Sequence, residues 1–282
     1  MGASSFSFVA HRPSAPLAEY VELLWHAEGR IGHTRDLILP TGQAVLVLNL
    51  GEPIRTAGAR GDSALQRRAW VCGIQAGPMS NEPRAGTHAL GVVFRPHRAH
   101  AVLGVPLHEL TDRVVALDDV WGAAAEQLRQ RVGEQRSIRA RLRVAEAWLL
   151  RRLAAPPVRG LDLALRQLCG VPPRSVRQLC AEVGVSHKHF IDRCRRFVGL
   201  PPQQVIRVQR LVRTLAAIDP QTPPRWAELA AAQGYCDQPH LVREFRRLAG
   251  LTPSDYLARR LAVFGPELRA GQDPSFVPVV EG

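Results

Sequence analysis

One pattern occurs twice in this chain. Arg195-Arg196-Phe197-Val198-Gly199-Leu200-Pro201-Pro202 recurs 51 positions later as Arg246-Arg247-Leu248-Ala249-Gly250-Leu251-Thr252-Pro253. Upstream, Gly184 recurs as Gly234 after 50 positions, so the second copy has one extra residue following its glycine. A unit repeated around a helical stretch points to a partner with two equivalent surfaces. A DNA major groove met on two successive turns is such a partner.

Each copy reads as helix, glycine turn, capped helix. Val176, Leu179, Cys180 and Val183 have the i, i+3, i+4, i+7 spacing of a helix that packs on one face. Gly184 supplies the positive φ of a tight helix–helix turn, and Ser186 caps the next helix, with Phe190, Cys194 and Phe197 inward. In the second copy Trp226, Leu229 and Ala230 precede Gly234, Asp237 is the cap, and Leu241, Phe245 and Leu248 face inward. Both copies have the helix-turn-helix arrangement. Gln203 to Ala217 forms the helix between them, with Val205, Val208, Val212 and Leu215 as its apolar stripe. Fifteen helical residues span ~23 Å, enough with the loops to hold two recognition helices ~34 Å apart, one turn of DNA. The outward residues of the first recognition helix are His187, Lys188, Ile191, Asp192 and Arg195; those of the second are Gln238, Pro239, His240, Arg243 and Arg247. Arg243 is suited to guanine and Gln238 to adenine, while Asp192 fits a cytosine amino group or a neighbouring arginine.

Charge follows the same division. The chain of 282 residues carries +12. Residues 1–128 have 11 arginines and 12 acidic groups, a net −1, whereas residues 129–174 are +8 and residues 175–260 are +7. Excess positive charge confined to one part of a chain is a footprint for a polyanion. No apolar run approaches the ~20 residues of a membrane helix, and the N-terminus lacks a signal-peptide pattern, so a cytoplasmic protein is expected.

Residues 1–95 read as mainly β: Val21–Trp25, Leu37–Leu39, Ala44–Leu50, Trp70–Ile74 and Ala89–Phe94 are short apolar runs divided by Gly and Pro. Residues 52–66 are polar and glycine-rich, the composition of a mobile loop. Short helices follow from Pro96. Asp118-Asp119 is expected to cap a helix over 120–132, and Ser137 a longer one containing Ile138, Leu142, Ala145, Leu149 and Leu153. Pro156-Pro157 breaks it. The expected organisation is α+β: a β-rich sandwich or barrel-like domain with helices over 1–153, a linker over 154–160, an all-α domain of two helix-turn-helix units joined by a helix over 161–260, and a loose tail over 261–282.

Five cysteines lie far apart without a C-x-x-C pair, which argues against a disulfide framework or thiolate zinc site. Cys180 and Cys194 fall at apolar helical positions. His26, His33, His88, His97, His100 and His108 are numerous enough to raise a metal site, but no H-x-H lies among them, so satisfied or exposed histidines are expected and neither metal nor cofactor is assigned. Trp25, Arg35, Trp70 and Arg95 are candidates for lining a small-molecule effector pocket. The competing reading is a DNA-binding module fused to an enzymatic or metal-binding sensor domain, such as an alkyl-transferring repair protein acting through Cys72.

The span Ser175 to Arg260 resembles the DNA-binding domain of AraC/XylS-type bacterial transcription regulators. The resemblance rests on Gly184-Val185-Ser186, Gly199-Leu200-Pro201-Pro202, the run from Gly234 through Asp237-Gln238-Pro239-His240 to Arg247, and Gly250-Leu251-Thr252-Pro253. It implies base contacts by Lys188, Ile191 and Asp192 in the first unit and by Gln238, Pro239, His240 and Arg243 in the second. Cys194, Asp192 and Pro201 depart from the family pattern, and all three lie in the first unit. Pro40-Thr41-Gly42, the 44–51 strand and Gly73-Ile74 resemble an uncharacterised domain that precedes such modules. That implies a sensory or dimerisation role, with promoter DNA, RNA polymerase, a small effector and a second copy of the chain as partners, and no membrane.

Overall fold

The computed structural model describes residues 6–30, 34–82, 86–154, 159–170, 174–222, 224–265 and 273–279. Among them, eleven strands form two antiparallel sheets. They are β1 (Phe6–His11), β2 (Val21–Gly29), β3 (Arg35–Ile38), β4 (Val45–Asn49), β5 (Ile54–Ala57), β6 (Ser63–Gln66), β7 (Ala69–Cys72), β8 (Met79–Glu82), β9 (Thr87–Phe94), β10 (Val114–Ala116) and β11 (Phe276–Val279). The first sheet has the order β1-β2-β9-β4-β7-β10, the second β11-β3-β8-β5-β6.

Alternation along the first sheet explains its two-sided burial. Leu46 and Leu48 of β4, Val71 of β7, and Leu90 and Val92 of β9 belong to the main apolar core shared with the helices. Val47, Trp70, Cys72 and Ala89 point the other way, into a smaller core with Ile54 and Met79 of the second sheet. Side chains of a strand alternate between faces, so a strand buried on both sides is apolar on both, as Ala44 to Leu48 are; buried Asn49, at the strand's end, donates to the Glu52 carbonyl at 2.8 Å. Gly91 lets the two faces fit: a Cβ there would lie 2.0 Å from the Trp25 ring.

The helical layer begins with α1 (Ala99–Leu103), α2 (Leu117–Trp121), α3 (Ala123–Gly133) and α4 (Ile138–Arg151). Ser137 caps α4 by accepting from the Ala140 N–H at 3.2 Å. The single helix expected over 120–132 is instead two, broken at Gly122 with φ 58°, and Asp118 and Asp119 lie in the first turn of α2 without capping it. The remaining helices are α5 (Arg159–Leu168), α6 (Val176–Val183), α7 (His187–Val198), α8 (Pro202–Ala217), α9 (Trp226–Ala232), α10 (Gln238–Ala249) and α11 (Pro253–Phe264). The apolar core is continuous from the first sheet through Leu161 and Leu165 of α5 to Phe190 and Phe245. Most of the linker expected over 154–160, residues 155–158, lies outside the described residues.

Two expectations are corrected. The polar 52–66 segment is the β5–β6 hairpin, with Ile54 paired to Gln66 and Ala57 to Ser63. Its glycines occupy the turn, and buried Thr56 accepts from Gln66 Nε2 at 3.2 Å, so the polar residues satisfy one another. The expected loose tail from 261 holds regular structure: α11 runs to Phe264, and β11 pairs with β3, Phe276 opposite Ile38 and Val279 opposite Arg35. Val277 is fully buried, Arg260 donates to the Asp273 carbonyl at 2.8 Å, and Tyr256 to that of Pro274 at 2.7 Å. The C-terminal strand thus fastens the last helix to an N-terminal sheet edge. Periodicity does not reveal so short a strand, because its partner is more than 200 residues away.

Val277→Asp should undock β11 and lower unfolding stability by roughly 1.5–3 kcal/mol, the contribution of burying one aliphatic side chain. Urea unfolding of the full chain measures it. An unchanged midpoint would mean that the strand contributes nothing to stability.

Candidate nucleic-acid interface

Both helix-turn-helix units close with capped helices. Ser186 accepts from the His189 N–H at 3.2 Å at the start of α7, and Asp237 from the His240 N–H at 2.6 Å at the start of α10. Gly184 takes φ 71° and Gly234 φ 75°, the left-handed conformation expected at both turns. Thr252 and Asp255 form a reciprocal capping box at α11, with Pro253 at the first helical position. The inward residues are buried as spaced: Phe190, Cys194 and Phe197 in α7, Leu241, Phe245 and Leu248 in α10. Burial pushes the Cys194 thiol well above its ordinary pKa, which makes it a small core hydrophobe.

The opposite faces are open. On α7, Lys188, Asp192 and Arg195 are exposed and Ile191 is half-buried. Asp192 makes no ion pair with Arg195 or Arg196. Arg193, next to Asp192, donates its Nε to His189 at 3.1 Å instead. On α10, Gln238, Pro239 and Arg243 are exposed, and no intramolecular ion pair engages Arg243. His240 is half-buried and takes part in the turn. Its Nδ1 accepts from the Cys236 N–H at 3.1 Å and its ring stands edge-on to Tyr235, so Nε2 carries the proton and faces outward as a donor. Arg247 is partly neutralised by Glu244 at 3.3 Å, which also lies 3.7 Å from Arg207 of α8.

Two family models match the chain. Residues 179–259 match a "Helix-turn-helix domain" model and residues 9–116 a "Domain of unknown function (DUF6597)". With the double unit, its turns and its signature run in place, residues 179–259 form a helix-turn-helix domain of the kind found in AraC-type transcription regulators. No curated protein matches the chain. Solved structures with a similar course include ToxT from Vibrio cholerae, at 9% identity over 90% of this chain and 98% of that one with a TM-score of 0.46. Another is unsaturated fatty acid bound wild-type ToxT from Vibrio cholerae, at 10% identity over 91% and 97% with a TM-score of 0.45. The AraC-like transcriptional activator CuxR follows at 12% identity over 73% and 86%, with a TM-score of 0.29.

The regulator is a DNA-binding protein with a β-rich N-terminal domain, and its two parts meet closely. Thr111 Oγ1 donates to the carbonyl of Gly199, at the end of α7, at 2.7 Å. The His100 ring stands edge-on to Phe197 at 4.9 Å. Buried Arg98 holds Asp162 of α5 through both carboxylate oxygens at 2.9 Å. His97 lies 3.6 Å from the same carboxylate, but Arg98 already occupies it. Burial, with the cations of Arg98 and Arg166, pushes the His97 pKa down to about 3, so it is neutral.

The four residues expected to line an effector pocket are not gathered. Trp25 and Trp70 both border the small core between the sheets. Arg35 is exposed and donates to Ser80 at 3.4 Å. Arg95 pairs with Glu22 and donates to the Ala18 carbonyl at 2.7 Å. Cys72, the candidate for alkyl transfer, is fully enclosed and burial pushes its thiol up to about 12, the opposite of what a thiolate nucleophile needs.

The histidines hold one cluster that sequence reasoning missed. His26 and Glu28 on β2 and His88 on β9 each present a ligand atom, all within 4.8 Å of one another. The signal was His26-Ala27-Glu28, whose alternate spacing puts both groups on one strand face, a pattern lost in a search for H-x-H alone. Arg141 of α4 reaches both imidazoles. His33 lies outside the described residues.

Because folded His97 stays neutral while its unfolded counterpart protonates near pH 6.5, its contribution to stability is complete above that pH and declines below it. Between pH 6.5 and 5 the loss should be roughly 1–2 kcal/mol from this residue. His97→Asn, which tolerates the local φ of 61°, should flatten that part of the profile in urea unfolding. Parallel profiles for the two proteins would contradict a neutral buried His97.

Proposed function

We propose that the regulator reads promoter DNA chiefly through α10, with Gln238, Pro239, His240 and Arg243 at base edges and Arg247 at phosphate. In this reading α7 is the second reader, with Lys188, Ile191, Asp192 and Arg195 in an adjacent groove segment. The observation that carries it is Arg243: exposed, free of any intramolecular ion pair, and within the first two turns after a capped N-terminus. A recognition helix presents its N-terminal residues to base edges, and a guanidinium with no competing carboxylate is available to guanine. Asp192 would repel phosphate, which supports a more restricted role for α7.

The N-terminal domain, within residues 1–153, acts as the sensor and dimerisation part, and the tail beyond 260 belongs structurally with it through β11. A small effector binds this domain. Its effect travels through the Thr111–Gly199 contact to α7, because that contact joins the sensor to one reader directly. The regulator works in the cytoplasm on double-stranded DNA, with RNA polymerase as its protein partner and a second copy of itself as its dimer partner.

Selection of bound sequences from random duplex DNA, followed by salt titration on the selected site, tests the reading. Specific affinity should exceed that for random DNA and fall steeply with salt. Arg243→Ala should weaken the selected site by about 1–3 kcal/mol and relax discrimination at one base pair. Equal weakening on every sequence would reassign Arg243 to phosphate, and no preference over random DNA would sink the proposal.

A further inference from the structure

The most unusual polar arrangement outside the helix-turn-helix units lies at the rim of the first sheet. His26 is completely buried, His88 is half-buried, and Glu28 stands at the solvent edge. The two imidazole rings are edge-to-face at 5.2 Å. Arg141 Nη1 lies 3.1 Å from His26 Nε2 and 2.7 Å from His88 Nε2. A guanidinium can only donate, so both Nε2 atoms present lone pairs to one point. The buried His26 Nδ1, by contrast, has no hydrogen-bond partner. A structural histidine is ordinarily fixed by a partner on its second nitrogen; here the firm constraint comes from the cation in front of the rings.

We propose that His26, His88 and Glu28 form a binding site for a divalent transition-metal ion of the zinc class, in which Arg141 is the cation the metal displaces. Two imidazoles and one carboxylate are a common ligand set for zinc and leave a coordination position open. Ligation needs deprotonated nitrogens, and these are kept neutral: burial comes first for both, with Arg141 disfavouring a second positive charge on either ring and His88 adding to the effect on His26. Ligand atoms around a tetrahedral ion sit roughly 3.4 Å apart, so the present cluster closes with side-chain shifts of about 1.5 Å or less.

Displacement has a defined route. Arg141 is also tied by its Nε to the carbonyl of Gln135, at 3.0 Å, in the turn between α3 and α4. Moving the guanidinium out therefore releases that turn from the sheet and replaces one positive charge with two beside Glu28. This inference does not depend on which bases the helices read.

The test is zinc(II) alone, titrated calorimetrically into the full chain at pH 7.5, with thermal melting in parallel. One ion should bind per chain and raise the melting temperature. His88→Gln and His26→Ala should each weaken binding at least 100-fold, while Arg141→Ala should tighten it at least tenfold because the resident cation is gone. If His26→Ala fails to fold, His88→Gln and Glu28→Gln carry the comparison at more exposed positions. The proposal is overturned if the natural chain takes up no zinc, including the case where only Arg141→Ala does. It is equally overturned if binding survives both histidine substitutions, which would place the ion elsewhere, for example at the exposed His187 and His189.

Discussion

The seam at Gly199 is the contact on which the arrangement of the two halves depends. Gly199 ends α7 with φ 97°, and its carbonyl accepts from Thr111 of the N-terminal domain at 2.7 Å. A Cβ there would approach the Leu107 carbonyl at 3.3 Å and Thr111 Oγ1 at 3.1 Å. Both the handedness of the turn and the closeness of the other domain therefore favour glycine. The repeat shows what this adds. Gly250, its counterpart in the second unit, takes φ 71° but meets only Pro78, at 3.4 Å. One copy of the same exit motif is built into the N-terminal domain while the other is nearly free.

That asymmetry organises the rest. α7 is held from behind by the N-terminal domain and carries an unpaired Asp192 on its front, whereas α10 projects Arg243 beyond a tightly made cap. Further ties lie around the seam: Arg98 on Asp162 joins the N-terminal domain to α5, and β11 joins the last helix to β3. The C-terminal helices are thus fastened to the N-terminal domain near both of their ends. The N-terminal domain is mechanically nearer to the first unit than to the second.

Much of the fold was legible in the residues because it is local. Caps at Ser137, Ser186, Asp237 and Thr252, the turns at Gly184 and Gly234, and the apolar stripes of α6 to α10 all depend on neighbours within a few positions. The strand at 45–49 is equally plain, since burial on two faces demands an apolar run such as Val45 to Leu48. The β5–β6 hairpin and β11 were missed because their pairing is set by partners across the sheet, and their own residues are polar or interrupted by proline. The stretch 120–132 reads as one helix from its residues because the apolar period continues on both sides of Gly122, where the structure breaks it.

The residues alone determined that two capped helix-turn-helix units follow a β-rich domain, and which side chains face outward from each unit. Those are consequences of helical period, capping chemistry and glycine's access to positive φ, all of which act over short stretches of chain. Only the tertiary structure decided which of those outward groups are free. Arg247 is held by Glu244 and His240 gives one ring nitrogen to its own turn, while Arg243 is left open. It also decided that Arg35 and Arg95 stand apart from the tryptophans, and that His26, Glu28, His88 and Arg141 meet. Ion pairs and ligand clusters form between side chains far apart in sequence, so their existence depends on how the sheets and helices pack.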